Sequence, residues 1–310
     1  MTVRWGILGA GWIVQTATAQ AIHDAPSARL AGVASRDISR AERAQPERVY
    51  GSYSELLADE SIDAVYIALT NDQHAPWIHE AIVAGKHVLC EKPLTLSTVQ
   101  TREAFAAAEV AGVLLVEAAW AMWHPRMQRI VELASTGSLG EIEDFLGTFT
   151  FEGVPEGNYR LDPALGGGAL LDVGVYPLHV LVGCIPSPFS VRPEIERVLS
   201  ETGVDLTTKA RLELDIGSRA SIVASFAMPE SQRLLIRGSQ AQLRVPDEHA
   251  FTSWRESTSL EFDGFTENFG PTDAYRDMFE AVSGRILGRP DWVLSPRAST
   301  RVAALVDALR

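Results

Sequence analysis

The sequence is poor in several features that mark whole classes of protein. Its 310 residues include two cysteines, Cys90 and Cys184, which are too few for a disulfide framework and favour a reducing, cytoplasmic setting. No apolar run reaches the roughly 20 residues of a membrane span, so we expect no membrane partner. Lys and Arg number 27 against 40 Asp and Glu, and the net charge of −13 argues against a nucleic acid as partner.

Signals for metal binding and for secretion are also weak. No set of His, Cys, Asp and Glu has the spacing of a zinc site, so we predict no metal. The N-terminus does resemble a signal peptide, because Arg4 precedes an apolar stretch and the segment 17–19 resembles a cleavage site. Cleavage there would remove the first strand of the pattern that follows, so we favour a folded N-terminal unit.

The first third of the chain alternates strand and helix patterns. Short apolar segments rich in β-forming residues predict strands at 3–8, 29–34, 64–69, 87–90 and 113–116. Helical patterns lie between them, at 12–22, 38–44, 74–83 and 97–112. This alternation predicts an α/β fold with a doubly wound parallel sheet, in a dinucleotide-binding Rossmann domain of residues 1–120.

After residue 120 the pattern changes to β-rich segments in sequence. Strands are predicted at 206–216, 220–228, 233–237 and 242–245, with a hairpin between the first two. Helices are predicted at 125–134, 170–181, 273–287 and 297–309. Successive strands of this kind favour an antiparallel sheet, so residues 121–310 are predicted to form a second domain.

A glycine turn follows the first predicted strand. Gly9 and Gly11 occupy the first two glycine positions of a dinucleotide fingerprint, and a helix begins at Trp12 and Ile13. Gly9 permits a tight turn, and Gly11 lets the main chain approach a pyrophosphate at the helix N-terminus. The third position, normally small, is Val14, which predicts a slightly wider contact between helix and strand.

The end of the second predicted strand indicates which dinucleotide binds. An NAD site usually has Asp or Glu there, whereas this chain has Ser35 followed by Arg36. A hydroxyl and a guanidinium suit a 2′-phosphate, so we predict NADP, with Ser35, Arg36 and Arg40 among its contacts. In the alternative, Arg36 is a solvated surface residue and Asp37 holds the ribose, which would give NAD or dual use.

Two later loops of the first domain carry further candidates. Ligands bind at the carboxyl ends of strands in an open parallel sheet. Leu69 ends the strand at 64–69, Asn71 and His74 follow it, and Glu91-Lys92-Pro93 follows the strand at 87–90. Of these residues, all but Pro93 are predicted to contact the cofactor, with Lys92 also at the reacting end.

The second domain contributes a glycine block, 166–168, that opens a helix. In that helix Asp172, Tyr176 and His179 share one face through i, i+4 and i+3 spacing. Pro177 predicts a kink unless it lies in the first turn. Two further substrate-binding candidates precede the helix, namely Trp123 and Arg160.

In this order the segments resemble the Gfo/Idh/MocA family, the glucose–fructose oxidoreductase and inositol dehydrogenase group of NAD(P)-dependent enzymes. The resemblance covers nearly the whole chain and is most specific at Glu91-Lys92-Pro93 and in the block that holds Asp172 and Tyr176. It implies a Rossmann domain followed by an α/β domain with a large, mostly antiparallel open sheet. It also implies that Lys92 is a site lysine, that Asp172 contacts substrate, and that Asn71 and His74 match the family's loop residues.

A tyrosine and a lysine together suit the oxidation of an alcohol. With a tyrosine at position 176, this chain resembles the glucose–fructose oxidoreductase and dihydrodiol dehydrogenase branches of the family. Tyr and Lys ordinarily have pKa values of about 10, so neither serves well alone at neutral pH. The positive charge of Lys92 is predicted to lower the pKa of Tyr176. We therefore assign Tyr176 as acid/base assisted by Lys92, with Asp172 accepting a substrate hydroxyl; direct proton transfer by Lys92 is the alternative.

The predicted function is an NADP-preferring oxidoreductase that acts on a sugar, a polyol or a related cyclic alcohol or ketone. Alternatives are a non-catalytic NAD(P)-binding regulator and a trans-dihydrodiol dehydrogenase. The family resemblance also implies a homodimer or homotetramer, formed through the open sheet of the second domain.

Overall fold

The computed structural model describes residues 1–185 and 188–310, which form two compact units. The first unit comprises Met1–Trp120 and Asp273–Thr300, and the second comprises Ala121–Thr272 and Arg301–Arg310. Each unit contains one β-sheet.

The first unit contains a parallel sheet of six strands. They are β1 (Val3–Leu8), β2 (Ala28–Ala34), β3 (Arg48–Tyr50), β4 (Ala64–Ile67), β5 (His87–Glu91) and β6 (Leu115–Ala118). Their order in space is β3-β2-β1-β4-β5-β6, which confirms the predicted doubly wound fold. β3 was not predicted, because three residues are too few to show a strand pattern.

Helices connect these strands. They are α1 (Ala19–Asp24), α2 (Ile38–Arg43), α3 (Tyr53–Leu57), α4 (Asn71–Val83) and α5 (Thr98–Ala111). A π-helical turn, Val14–Thr18, leads into α1. α5 begins and ends as its sequence predicts: the Ser97 hydroxyl accepts a hydrogen bond from Gln100 N, and Gly112 ends the helix at φ 68°.

A late segment of the chain completes the core of the first unit. α8 (Ala274–Ile286) places Phe279 edge-on against Trp5, at 5.2 Å between ring centroids, and against Tyr66, at 5.3 Å. The Trp5 indole N–H donates to Ser283 Oγ at 3.0 Å. The sequence had assigned this helix to the second domain, because an amphipathic pattern shows that a helix covers a sheet but not which sheet it covers.

The second unit contains an open sheet of eight strands. They are β7 (Ile142–Glu152), β8 (Val191–Leu199), β9 (Asp205–Leu214), β10 (Arg219–Ser225), β11 (Ala227–Gly238), β12 (Gln242–Arg244), β13 (Thr258–Phe262) and β14 (Phe265–Phe269). Their order is β14-β13-β12-β11-β7-β10-β9-β8, and the pairs are antiparallel except β7 with β10. The mostly antiparallel open sheet is thus confirmed, although β7, β8, β13 and β14 were not predicted.

One face of this sheet is covered by helix. α6 (Pro125–Ser135) packs on α7 (Val175–Cys184), and α7 approaches β7 so closely that a Cβ at Gly147 would lie 2.4 Å from Pro177 Cβ. The π-helical turn Leu170–Gly174 runs into α7 without a break, so Pro177 does not lie in the first turn of the helix; it follows directly after the wider π-helical turn. The stretch Pro163–Cys184 is apolar and long enough to cross a membrane by composition, but 83% of its most apolar window is buried inside the protein.

α9 (Pro296–Ala308) is the last helix of the chain.

The contact between α8 and the first sheet predicts a large stability effect. Replacing Phe279 by Ala should lower the free energy of unfolding by about 3–5 kcal/mol, because it leaves a cavity between Trp5 and Tyr66. Chemical denaturation measures this. The matched control is Phe265→Ala, whose side chain is 77% exposed and should change stability by about 0.5 kcal/mol or less. Equal effects of the two substitutions would contradict this account of the core.

Candidate active site

The glycine turn after β1 has the geometry of a pyrophosphate loop. Gly9 has φ 102°, and a Cβ there would lie 2.6 Å from the carbonyl oxygen of Ala68, so only glycine fits. A Cβ added at Gly11 would meet no heavy atom within 4 Å. Protein packing therefore does not demand glycine at this position, and the open space leaves the main chain accessible to a ligand.

The helix that follows presents one side to solvent and one to the sheet. Trp12 is 73% exposed beside Gly11, Ile13 is half-buried, and Val14 is fully buried. Val14 is the first residue of the π-helical turn, in which each turn contains more residues than in an α-helix. The oxygens of a dinucleotide pyrophosphate accept hydrogen bonds from main-chain N–H groups at a helix N-terminus such as this one. The residues present therefore fit such a cofactor.

The end of β2 carries two exposed arginines and an engaged carboxylate. Asp37 caps α2: its Oδ1 accepts from Arg40 N at 3.2 Å and from the Ser39 hydroxyl at 2.7 Å. The hydrogen bond from Ser39 is the main cause that lowers the pKa of Asp37. The Ser35 hydroxyl accepts from Asp37 N at 3.1 Å, and the side chains of Arg36 and Arg40 are exposed, although Arg40 Nε also approaches Asp37 at 3.2 Å.

The loop after β4 is joined to the loop after β5 by a buried histidine. His74 Nδ1 lies 2.8 Å from the carbonyl oxygen of Pro93, and Nε2 lies 3.2 Å from that of Leu69. Burial lowers the pKa of His74, so the neutral ring donates to one of these two carbonyls. His74 is 0% exposed and Asn71 is also buried. His74 therefore links the two loops from inside the protein.

The turn that carries Lys92 is held by hydrogen bonds to its main chain and to Glu91. Lys92 N donates to Glu91 Oε2 at 3.2 Å, and Leu94 N donates to Glu117 Oε1 at 3.1 Å. The Tyr66 hydroxyl donates to Glu91 Oε1. The Lys92–Pro93 peptide bond is cis, and the lysine side chain is half-buried.

Tyr66 and Glu117 were not among the predicted site residues. Tyr66 looks like one more large residue of a buried strand, so nothing in the sequence marks it. Glu117 did leave a signal, because it is the one carboxylate that interrupts the apolar run 113–123. A lone acidic residue in a strand otherwise buried on both faces points to a hydrogen-bonding partner inside the protein.

An ion pair forms the polar centre of the second unit. Arg160 Nε donates to Asp172 Oδ2 at 2.7 Å, and 31% of the arginine side chain but only 8% of the aspartate side chain is exposed. Burial lowers the pKa of Arg160, but the charges of Asp172, Tyr159 and Tyr176 outweigh it and raise that pKa. Tyr176 is half-buried, with Phe149 at 5.3 Å between centroids. The structure thus brings Arg160, Asp172 and Tyr176 together.

The glycine block fixes the loop that carries Arg160. A Cβ at Gly167 would lie 2.5 Å from the carbonyl oxygen of Arg160, and Gly168 N donates to that same oxygen at 3.0 Å. Asp205 Oδ2 accepts from Leu170 N at 2.9 Å and so holds the start of the helix. The block therefore sets the distance between the arginine loop and the helix of Asp172.

Two other predicted site residues are deeply buried. Trp123 is 6% exposed and His179, on α7, is 3% exposed. In the first unit Trp120 stacks on Tyr275 at 4.5 Å, which is a packing contact. Among residues 1–185 and 188–310, no group of three His, Cys, Asp or Glu side chains is placed to hold a metal ion.

Comparison with known proteins agrees with this architecture over the whole chain. Residues 3–118 match GFO/IDH/MocA, described as an oxidoreductase family with an NAD-binding Rossmann fold, and residues 127–244 match the GFO/IDH/MocA C-terminal domain. The D-xylose 1-dehydrogenase (NADP(+)) 2 of Haloferax volcanii is 35% identical, over 99% of this chain and 96% of the relative. The trans-1,2-dihydrobenzene-1,2-diol dehydrogenase of Mus musculus is 31% identical, over 79% of this chain and 75% of the relative.

A solved structure of similar fold is that of a 3-ketoreductase from Actinomadura kijaniata in complex with NADP and TDP-benzene. Its TM-score is 0.89 at 29% sequence identity, and the match covers 100% of this chain and 97% of the other. The glycine turn of the first unit and the Arg160–Asp172 centre of the second lie within the two matched family regions. The chain belongs to the GFO/IDH/MocA family of oxidoreductases.

Proposed function

We propose that this protein is an NADP-dependent oxidoreductase that transfers a hydride between the nicotinamide and a sugar, a polyol or a related cyclic alcohol or ketone. The observation that carries the proposal is the turn after β5, which holds Lys92 at the ligand edge of a dinucleotide-binding sheet. Relatives named as an NADP-dependent xylose dehydrogenase and a dihydrodiol dehydrogenase support the reaction class. Both cysteines are free and buried, which suits the reducing cytoplasm that we propose as its location.

The contacts at the end of β2 favour NADP over NAD. Asp37 already caps α2 and pairs with Arg40, so its carboxylate is engaged where an NAD site would need it on the ribose. Arg36, the residue after Ser35, is exposed, and an exposed guanidinium suits a 2′-phosphate. We propose that Gly9, Gly11 and the helix start hold the pyrophosphate, and that Ser35, Arg36 and Arg40 hold the phosphorylated ribose.

Proton transfer is assigned to the chain's own residues. When bound, NADP supplies the hydride acceptor in oxidation and NADPH the donor in reduction. Tyr176 Oη takes the proton of the reacting hydroxyl during oxidation and returns it during reduction, and the positive charge of Lys92 favours the ionised tyrosine. Asp172 accepts a hydrogen bond from a neighbouring substrate hydroxyl.

The ion pair in the second unit fits a substrate rich in hydroxyl groups. Arg160 uses Nε on Asp172, and a guanidinium has further N–H groups that can donate to substrate oxygens. Asp172 contributes the acceptor oxygens beside them. Such a pairing of donors and acceptors recognises vicinal hydroxyls, as found in sugars, polyols and cyclic diols.

We propose that the open face of the second sheet is the interface with a second copy of the chain. At its centre Leu146, which is 38% exposed, lies opposite Leu235 on one neighbouring strand and the polar Ser221 on the other. The same row continues outward to opposite charges on both sides, and these are Arg211 with Glu194 and Arg244 with Glu261. Charged residues thus flank the two leucines on both sides of the row, as rim residues flank the centre of an interface.

The cofactor proposal predicts a change in preference. Arg36→Ala should lower kcat/KM with NADPH about 10- to 100-fold and leave kcat/KM with NADH unchanged, because a charge-assisted hydrogen bond contributes about 1.5–3 kcal/mol. The matched control is Arg29→Ala, an exposed arginine near the opposite end of the same strand, which should leave both values unchanged. An unaltered NADPH/NADH ratio in Arg36→Ala would refute the assignment.

The reaction itself is tested by screening aldoses, ketoses, inositols and dihydrodiols with NADP and NADPH. Tyr176→Phe and Lys92→Met should each lower kcat about 10²- to 10⁴-fold while NADPH still binds, since each removes proton transfer or the charge that supports it. Residues that act together are non-additive, so the double variant should lose little more than either single one.

Lys209→Met is the control, because this exposed lysine lies on the second sheet. NADPH binding without turnover of any substrate in the panel would favour the non-catalytic regulator instead.

The interface proposal is tested by the oligomeric state. Leu146→Glu should weaken self-association about 30-fold or more, which corresponds to about 2 kcal/mol for a central interface residue. Analytical ultracentrifugation measures this. Ile216→Glu is the control, because Ile216 is 48% exposed in the turn between β9 and β10 and lies off the sheet face. A wild-type protein that is monomeric at all concentrations would rule the interface out.

A further inference from the structure

The turn that carries Lys92 is held from three sides by buried side chains of other elements. Tyr66 of β4 reaches Glu91, His74 of α4 reaches Pro93, and Glu117 of β6 reaches Leu94; these contacts are within the first unit. We infer that Tyr66 and Glu117 are positioning residues, which set the direction of the Lys92 side chain for the reaction. The inference rests on the proposed function, in which Lys92 acts at the reacting end.

Tyr66 acts on the turn through the carboxylate of Glu91. Its ring is fully buried beside Phe279, and its hydroxyl donates to Glu91 Oε1. Burial raises the pKa of Tyr66 well above its usual value, so the phenol stays neutral and keeps the proton that it donates. The other oxygen of the same carboxylate accepts the main-chain N–H of Lys92 at 3.2 Å. A single carboxylate thus links the fixed phenol to the lysine's own peptide group.

Glu117 acts on the far side of the turn. It is 2% exposed, pairs with Cys90 in the register of β5 and β6, and accepts from Leu94 N through Oε1 at 3.1 Å. Burying a carboxylate costs several kcal/mol unless hydrogen bonds or charges compensate. The neighbours of Glu117 in β6 are the apolar Val116 and Ala118, so core packing alone does not require an acid at this position.

His74 lies between these two contacts. Its ring approaches the carbonyl oxygen of Pro93 at 2.8 Å, and the charges of Lys92 and Glu117 both act on it, with opposite effects on its pKa. The main chain is therefore held at the N–H of residue 92, at the carbonyl of residue 93 and at the N–H of residue 94. With the main chain fixed on both sides of the Lys92 Cα, the direction in which its side chain leaves is fixed too.

A positioning role and a purely structural role predict different results. A structural residue lowers stability and leaves the turnover of the folded enzyme unchanged. A positioning residue lowers kcat in the folded enzyme, because a displacement of about 1 Å at a reacting group can cost about 100-fold in rate. NADPH affinity should not change in either case.

The first test compares two tyrosines that each donate to a carboxylate. Tyr66→Phe should lower kcat about 10- to 100-fold, with an unchanged Kd for NADPH. Tyr50→Phe is the matched control: Tyr50 is a buried tyrosine of β3 in the same sheet, and its hydroxyl donates to Asp59 at 2.6 Å, away from the turn. The Tyr50→Phe variant should have the kcat of the wild type. Equal kcat values for the two variants would overturn the role of Tyr66.

The second test separates the hydrogen bond of Glu117 from its presence in the core. Glu117→Gln keeps an acceptor for Leu94 N and should retain most of kcat, whereas Glu117→Leu removes it and should lower kcat about 10- to 100-fold. Hydrogen exchange gives a readout independent of activity, since the Leu94 amide should exchange faster in Glu117→Leu than in the wild type or in Glu117→Gln. Equal exchange in all three proteins would overturn the role of Glu117.

Lys92→Met distinguishes this inference from the proposed function. If Lys92→Met turns over at the wild-type rate, the proposed function fails, and the inference fails with it. If Lys92→Met is inactive while Tyr66→Phe and Glu117→Leu turn over at the wild-type rate, the inference is overturned and the proposed function stands.

Discussion

The parallel pairing of β1, β4 and β5 is the constraint on which the candidate site depends. Neighbouring parallel strands bring their carboxyl ends to one edge of the sheet, so Gly9, Leu69 and Lys92 follow one another along that edge. The approach is close enough that the carbonyl oxygen of Ala68 excludes a side chain at Gly9. The pairing that builds the core therefore also places the cofactor loop beside the lysine turn.

Main-chain contacts hold the charged side chains of both units in place. In the first unit the peptide groups around Lys92 are fixed by Glu91, His74 and Glu117. In the second unit the carbonyl of Arg160 is fixed against the glycine block. A long flexible side chain is costly to order, and anchoring its main chain removes part of that cost before substrate binds. This arrangement suits an enzyme that must orient one hydroxyl among several.

Much of the fold could be predicted from the sequence, because hydrophobic periodicity reports which faces are buried. The parallel sheet, the capped α5 and the change to antiparallel strands all followed from that signal. It was too weak at β3, which has three residues, and it could not show which sheet α8 covers. The site residues were predicted from strand ends and from a family resemblance. Tyr66 was missed because its function depends on the partner of its hydroxyl, which is 25 residues away.

The sequence by itself determined the class of fold and the chemistry on offer: a glycine turn, an arginine beside a serine where an acid is usual, and a lysine that ends a buried strand. These are local properties, set by periodicity and by the conformations that glycine alone adopts. Only the tertiary structure decided that Arg160 pairs with Asp172 and that buried groups hold the Lys92 turn. Such contacts join residues distant in the chain, so their partners are set by the packing of strands and helices rather than by local pattern.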